Sequence, residues 1–218
     1  MVREPSIRHV YKRLRGRYGE QNWWPADSTF EIMVGAVLTQ NTAWINVERA
    51  LANLTVAGAL DPVSLTTAHP KTVAKWLRPS GYFNVKTKRV RALCRWLLQN
   101  GGLARIARWD TDRLRAELLA VNGVGQETAD DILLYAFQRP LFVVDAYTRR
   151  IFSRLGLCVA DESYDSLQSH FHSELPHKVP IFNNYHALIV HHGKHVCRVR
   201  PLCVDCCLAD ICPGGAAA

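Results

Sequence analysis

Five of the seven cysteines crowd into CRVRPLCVDCCLADIC, at positions 197, 203, 206, 207 and 212. Four thiolates on one short loop can enclose a [4Fe-4S] cluster or a zinc ion, and Cys203-x-x-Cys206 supplies the tight turn that either site needs. Spacing does not choose between the two, because soft thiolates suit both. A disulfide pair or free thiols are the plainer alternatives, against which the crowding argues. A second group is Asp145, which follows LFVV and precedes AYTRRIFSRLG. A carboxylate at a helix N-cap is held ionised by backbone amides and the helix dipole, so it can stabilise positive charge or serve as a base for water; it can equally be a structural cap. The third is VNGVGQ, residues 121–126. Its glycines let the backbone turn sharply, and amides opening the next helix can donate to a phosphate oxygen, although a plain corner between helices would use the same residues.

The elements that must position these groups read as helices. Helical spacing of apolar residues dominates and alternating strand patterns are scarce, so the chain is expected to be all-α with about ten helices. STFEIMVGAVLTQ, with Ser28 three positions before Glu31, predicts a capped and buried helix. Amphipathic segments follow at about 43–57, 70–77, 85–99, 110–121, 126–137, 146–155, 164–175 and 181–196, separated by turns such as Asp61-Pro62, Pro79-Ser80-Gly81 and Gly101-Gly102. A boundary is expected at Gln138-Arg139-Pro140. LFVVD then predicts a short extended connector that delivers Asp145 to a helix start. There is no internal repeat at solenoid periods and no low-complexity tract beyond the GGAAA tail.

Lys and Arg number 27 against 19 Asp and Glu in 218 residues, a formal net charge of +8, which points to an anionic partner and first to nucleic acid. No apolar run reaches the ~18 to 20 residues of a membrane helix, and the first twenty residues lack the apolar centre of a secretory signal. A cytoplasmic, membrane-free protein is expected, associated with the nucleoid if the cell is bacterial, and nothing in the chain signals more than a monomer.

In this order, the hairpin at 121–125, Asp145 and the four-cysteine loop resemble the endonuclease III branch of the helix-hairpin-helix DNA glycosylases, from about Trp23 to Cys212. The resemblance implies a two-domain fold: a six-helix domain at 26–139 carrying the hairpin, and a second helical domain from 1–25 and 140–218 ending in a [4Fe-4S] loop at 197–212. It implies Cys197, Cys203, Cys206 and Cys212 as ligands, with Cys207 competing with Cys206. The loop reads C-x5-C-x2-C-x5-C, one residue shorter in its first gap than the usual pattern of that family. Members that also cut the backbone carry a lysine in GVG-x-K-T-A to form a Schiff base with the sugar. Here GVGQETA puts Glu127 at that position, and a carboxylate cannot make an imine.

WWP at 23–25, GAVLTQNTAW at 35–44, RPSGYFN at 78–84 and VVDAYTRRIFSRLG are most similar to the endonuclease III-type 3-methyladenine DNA glycosylases. That likeness implies a pocket for an extruded base lined by Trp23, Trp24, Pro25 and Trp44, with Gln40 filling the hole left in the duplex and Tyr82 wedging the opposite strand. Departure of the base builds positive charge on the sugar, which the carboxylate of Asp145 would stabilise. Indole faces suit a cationic, alkylated base at roughly 0.5 to 2 kcal/mol per contact. The best-known member of that subfamily lacks the cysteine loop and has a lysine near the pocket, for which no match is secure here. The hairpin residues Gly123, Val124 and Gly125, with Arg149, Lys194 and Arg198, are expected to meet phosphates, as can Arg150 and Arg200. Trp76, Trp96 and Trp109 read as core, and the histidines of HHGKH at 191–195 rank below the cysteines as ligands.

The expected function is therefore a monofunctional glycosylase that removes an alkylated purine such as 3-methyladenine from damaged duplex DNA and leaves an abasic site. A uracil or thymine mismatch glycosylase, a non-catalytic DNA-binding protein and a zinc adaptor are the alternatives.

Overall fold

The computed structural model describes residues 5–214. The alanine tail read from the sequence lies outside them. Every regular element among the described residues is helical, as expected, with twelve α-helices in place of about ten. The first, α1 (Ile7–Tyr18), was not read from the sequence. Ser6 caps it by accepting from His9 N, and its strongly basic surface leaves only Ile7, Val10 and Leu14 buried. That is one stripe at helical spacing, overshadowed by charge.

The chain divides into two compact units, residues 26–139 and residues 1–25 with 140–218. The first holds α2 (Thr29–Leu38), α3 (Trp44–Val56), α4 (Pro62–Thr67), α5 (Pro70–Leu77), α6 (Phe83–Gln99), α7 (Leu103–Ile106), α8 (Thr111–Leu119) and α9 (Gln126–Asp131), which runs on into a π turn, Ile132–Ala136. Helices α4 and α7 were also unread, being too short to show a period. Ser28 accepts from Glu31 N, and the Glu31 carboxylate accepts from Asp27 N, so the start of α2 is satisfied as its sequence suggests. Phe30, Met33, Val34, Val37 and Leu38 of α2 are buried, and α6, in which Val90, Leu93 and Leu97 are buried, packs on α2, α4 and α5. Trp96 and Trp109 are buried and meet edge to face, whereas Trp76 is only half-buried. The hairpin legs α8 and α9 are tied by Arg115, whose guanidinium donates to both oxygens of the fully buried Asp130 carboxylate at 2.7 and 3.1 Å.

The other unit comprises α1 with α10 (Ala146–Arg154), α11 (Tyr164–Glu174) and α12 (Val179–His195). Its core is aromatic. Phe142 stacks on Phe171 at 3.8 Å between centroids, Phe152, Phe182 and Tyr185 close around them, and Tyr185 Oη donates to Ile7 O. The connector is extended without pairing as a strand. Phe142, Val143 and Val144 are buried, and side chains satisfy the Phe142 backbone: its N–H donates to His172 Nε2 and its carbonyl accepts from Gln168 Nε2. Helices α10 and α12 approach closely at Gly193, where a Cβ would lie 2.5 Å from the Tyr147 ring.

Candidate active site

Asp145 is the N-cap of α10. Its Oδ1 accepts from Thr148 N at 2.7 Å and Thr148 Oγ1 at 2.8 Å, and Oδ2 lies 3.6 Å from His186 Nε2 on α12. Only 8% of the residue is exposed. Burial alone would raise its pKa, but the His186 contact and the two Thr148 donors outweigh it and hold the group below the ordinary carboxylate range. The site therefore keeps a desolvated negative charge with one oxygen fixed by the cap and the other facing an imidazole. His186 was not read from the sequence. Its signal was a polar residue on the face of α12 that also buries Phe182, Tyr185 and Ile189.

In the unit of residues 26–139, Tyr82 is 73% exposed at the start of α6 with φ +43°, a left-handed conformation that non-glycine residues seldom take. Gln40 follows α2, half-buried, and its amide donates to Gly123 O at 3.0 Å and to Thr128 Oγ1 at 2.9 Å. Gly123 has φ +88°, Val124 is buried and Gly125 is exposed. Trp44 opens α3 half-buried, its Nε1 donating to Glu48 Oε1 at 2.7 Å. Glu127 is exposed.

Lys86, also missed, is 1% exposed and holds these turns from beneath. Its ammonium donates to Leu38 O and Ser80 O, both at 2.7 Å, and to Thr42 Oγ1. One buried cation thus joins the end of α2, the turn after Gln40 and the turn before Tyr82. Burial, with Arg89 nearby, pulls its pKa down to about 8; three acceptors use all three N–H groups of the charged form. Lys86→Met keeps the bulk but strands Leu38 O and leaves Ser80 O with only the Thr42 Oγ1 donor, so thermal unfolding should show a loss of about 2 kcal/mol, roughly 4 to 8 °C in Tm. An unchanged Tm would contradict this clamp.

Trp23 and Trp24 precede Pro25 with ring centroids 5.4 Å apart and planes at 45°. In the same unit, Cys197, Cys203, Cys206 and Cys212 line one cavity of about 110 Å³ with Val196, Leu202 and Ala209, and Cys207 is not among its walls. Leu208 N donates to Cys206 Sγ at 3.4 Å and Arg154 Nη1 to Cys197 Sγ at 3.3 Å, the N–H contacts that metal-bound thiolates accept. Among the described residues no three His, Cys, Asp or Glu side chains converge as a single ion would need. Four thiols lining one cavity are nonetheless a donor set that either a [4Fe-4S] cluster or a zinc ion could use.

Two of the expected phosphate contacts, Arg149 and Arg150, are occupied within the fold. Arg149 is half-buried and donates to Glu162 O at 2.5 Å. Arg150 donates to Cys197 O and Gly193 O, and Arg154 to Arg198 O and Val199 O, so both brace the cysteine loop. Lys194, Arg198 and Arg200 are exposed. Within HHGKH, His192 is buried against Tyr18 Oη and Cys206, a packed histidine.

Residues 34–177 match the model of the HhH-GPD superfamily base excision DNA repair proteins. The chain belongs to this superfamily. It is a helix-hairpin-helix glycosylase of the endonuclease III type, and a Methanocaldococcus jannaschii protein provisionally called a DNA repair glycosylase is 46% identical over 209 residues, spanning 94% of this chain and 95% of that one. Endonuclease III of Sulfolobus acidocaldarius is 27% identical over 85% of this chain and 82% of its own. Among solved structures, the Helicobacter pylori 3-methyladenine DNA glycosylase bound to 1,N6-ethenoadenine superposes with a TM-score of 0.77 at 27% identity, covering 87% of this chain and 98% of that one. An endonuclease III–DNA complex reaches 0.84 at 22% identity, covering 97% and 95%, a likeness of fold. Base excision glycosylase chemistry on DNA is thus the activity of the superfamily to which Asp145 and the hairpin belong. No helix among the described residues is long and apolar enough to cross a membrane.

Proposed function

We propose that the chain is a monofunctional DNA N-glycosylase that extrudes an alkylated purine such as 3-methyladenine from duplex DNA, cleaves its N-glycosidic bond and leaves an abasic site. The observation that carries this is the buried Asp145 carboxylate, held ionised with Oδ1 engaged by Thr148. Oδ2, which faces His186 at 3.6 Å, is the oxygen that would stabilise the cationic sugar and orient water. A purine alkylated at N3 or N7 already carries positive charge, so it leaves with little acid assistance; the indoles of Trp23, Trp24 and Trp44 suit such a base by cation–π contact, and Pro25 offers it an apolar surface. The likeness to the H. pylori enzyme supports the same substrate class.

Hydrolysis without strand cleavage follows from Glu127 at the position of the imine-forming lysine. Lys86 cannot substitute, since its amine is buried on three acceptors. Tyr82, Gln40, the hairpin residues Gly123 to Gly125, Lys194 and Arg198 are the proposed DNA contacts, while Arg149 supports the fold through Glu162. Cys197, Cys203, Cys206 and Cys212 would hold a [4Fe-4S] cluster, which would brace the loop bearing Arg198. We place the protein in the cytoplasm, on the nucleoid if the cell is bacterial, acting as a monomer.

A panel of duplexes, each with one lesion, tests this. Release from the 3-methyladenine duplex is expected, with strand breaks only after alkali treatment. Release of uracil or thymine alone would replace the substrate assignment. Binding without release from any duplex would sink the catalytic one, and breaks without alkali would refute the monofunctional one.

A further inference from the structure

The Gln40 side chain is committed on both ends of its amide. Nε2 donates to Gly123 O at 3.0 Å and to Thr128 Oγ1 at 2.9 Å, and Oε1 accepts from Arg89 Nη1 at 2.5 Å. Arg89, half-buried on α6, lies across Gly123 so closely that a Cβ there would be 2.3 Å from Arg89 Cγ. At φ +88° this is a position where glycine is required twice over, by backbone conformation and by the arginine stem. Among the described residues, the guanidinium's side-chain hydrogen bond goes to Gln40 through Nη1, one of its five N–H donors. Three residues earlier on the same helix, Lys86 holds Thr42 and Ser80. Two cations on α6 therefore tie the Gln40 turn to the hairpin on one side and to the Tyr82 turn on the other.

We propose that Arg89 is the positioning residue that couples Gln40 to the Gly123 hairpin, so that hairpin and glutamine act on DNA as one unit and favour a duplex with a missing base over an intact one. This deepens the reading of Gln40 as a DNA contact and rests on it. A glutamine aligned in advance loses less side-chain freedom when it meets a vacant base position, whereas on an intact duplex that alignment gains nothing. Arg89 acts through Gln40; a simple phosphate contact would instead strengthen both duplexes alike.

The test is a double-mutant cycle with Arg89→Met, which keeps the aliphatic stem over Gly123 but removes every donor, and Gln40→Ala. Affinity is measured for a duplex carrying a tetrahydrofuran abasic analogue and for the same duplex intact, across a salt series. Each single variant is expected to lower the preference for the abasic duplex about tenfold, and the double variant no further than either single. Arg89→Lys, which restores charge without the planar fork, should keep affinity for intact DNA but regain little of the preference. Thermal unfolding of each variant identifies any that fails to fold, and Arg89→Lys then stands in for Arg89→Met in the cycle. Multiplicative losses in the cycle, equal weakening of both duplexes with a salt slope lower by about one, or a wild-type protein indifferent to the abasic position would each overturn the coupling. The abasic analogue has no base to release, so this result is independent of the lesion panel: an additive cycle leaves the glycosylase proposal standing, and failure of release leaves the coupling standing.

Discussion

Asp145→Asn is expected to lower base release at least about 10³-fold, about 4 kcal/mol of transition-state stabilisation, while changing affinity for duplex DNA less than about threefold. The substitution isolates charge from structure. Asparagine is as good an N-cap as aspartate, so its Oδ1 can still accept from Thr148 N and Thr148 Oγ1, and α10 should start where it does now. What disappears is the negative charge beside His186. Single-turnover release from alkylated DNA, set beside a binding isotherm, separates the two effects, and activity within tenfold of wild type would rule out the carboxylate as the stabiliser. The pH dependence has a definite sign. Because the folded state holds Asp145 below the ordinary carboxylate pKa, its contribution to stability is fully present above the unfolded value, near 3.9, and is lost as pH falls through the lower folded value. Any fall in rate that Asp145 itself causes should thus appear only below about pH 4.

The second large effect separates two adjacent cysteines. Cys206→Ser should yield protein with little bound iron and sulfide and a destabilised second unit, whereas Cys207→Ser should keep its iron and its visible absorption. Cys206 lines the cavity and its sulfur accepts from Leu208 N; Cys207 is outside the lining, its carbonyl held by Arg13 Nε at 2.8 Å. The cavity walls reach back into the fold through Arg154, so losing one ligand should loosen a loop that α10 otherwise braces. Iron analysis of the purified variants decides it, and equal iron in both would remove Cys206 from the ligand set.

Most of what places this chain in its superfamily is local in the sequence. Helical periodicity from α2 onward, the glycine pair before α9, the apolar run ahead of Asp145 and the cysteine spacing each depend on neighbours within a few residues, and near-neighbour geometry is what a linear pattern encodes. Glu127 is likewise legible in place, since its meaning lies in a side-chain type at one position. Short elements failed for the same reason, because α4 and α7 offer too few residues to show a period.

The groups that tune the site were decided by packing. His186 reaches Asp145 across 41 positions of chain, Lys86 joins carbonyls from two separate turns, and Arg89 meets Gln40 from another helix. No spacing rule links such partners, because their distance is fixed by how helices cross and by which polar groups burial obliges to pair. Along the chain the resemblance implies Cys206 as the third cysteine, with Cys207 its competitor. What differs in the folded loop is that Cys206 lines the cavity and Cys207 does not, which supports the proposed choice of Cys206.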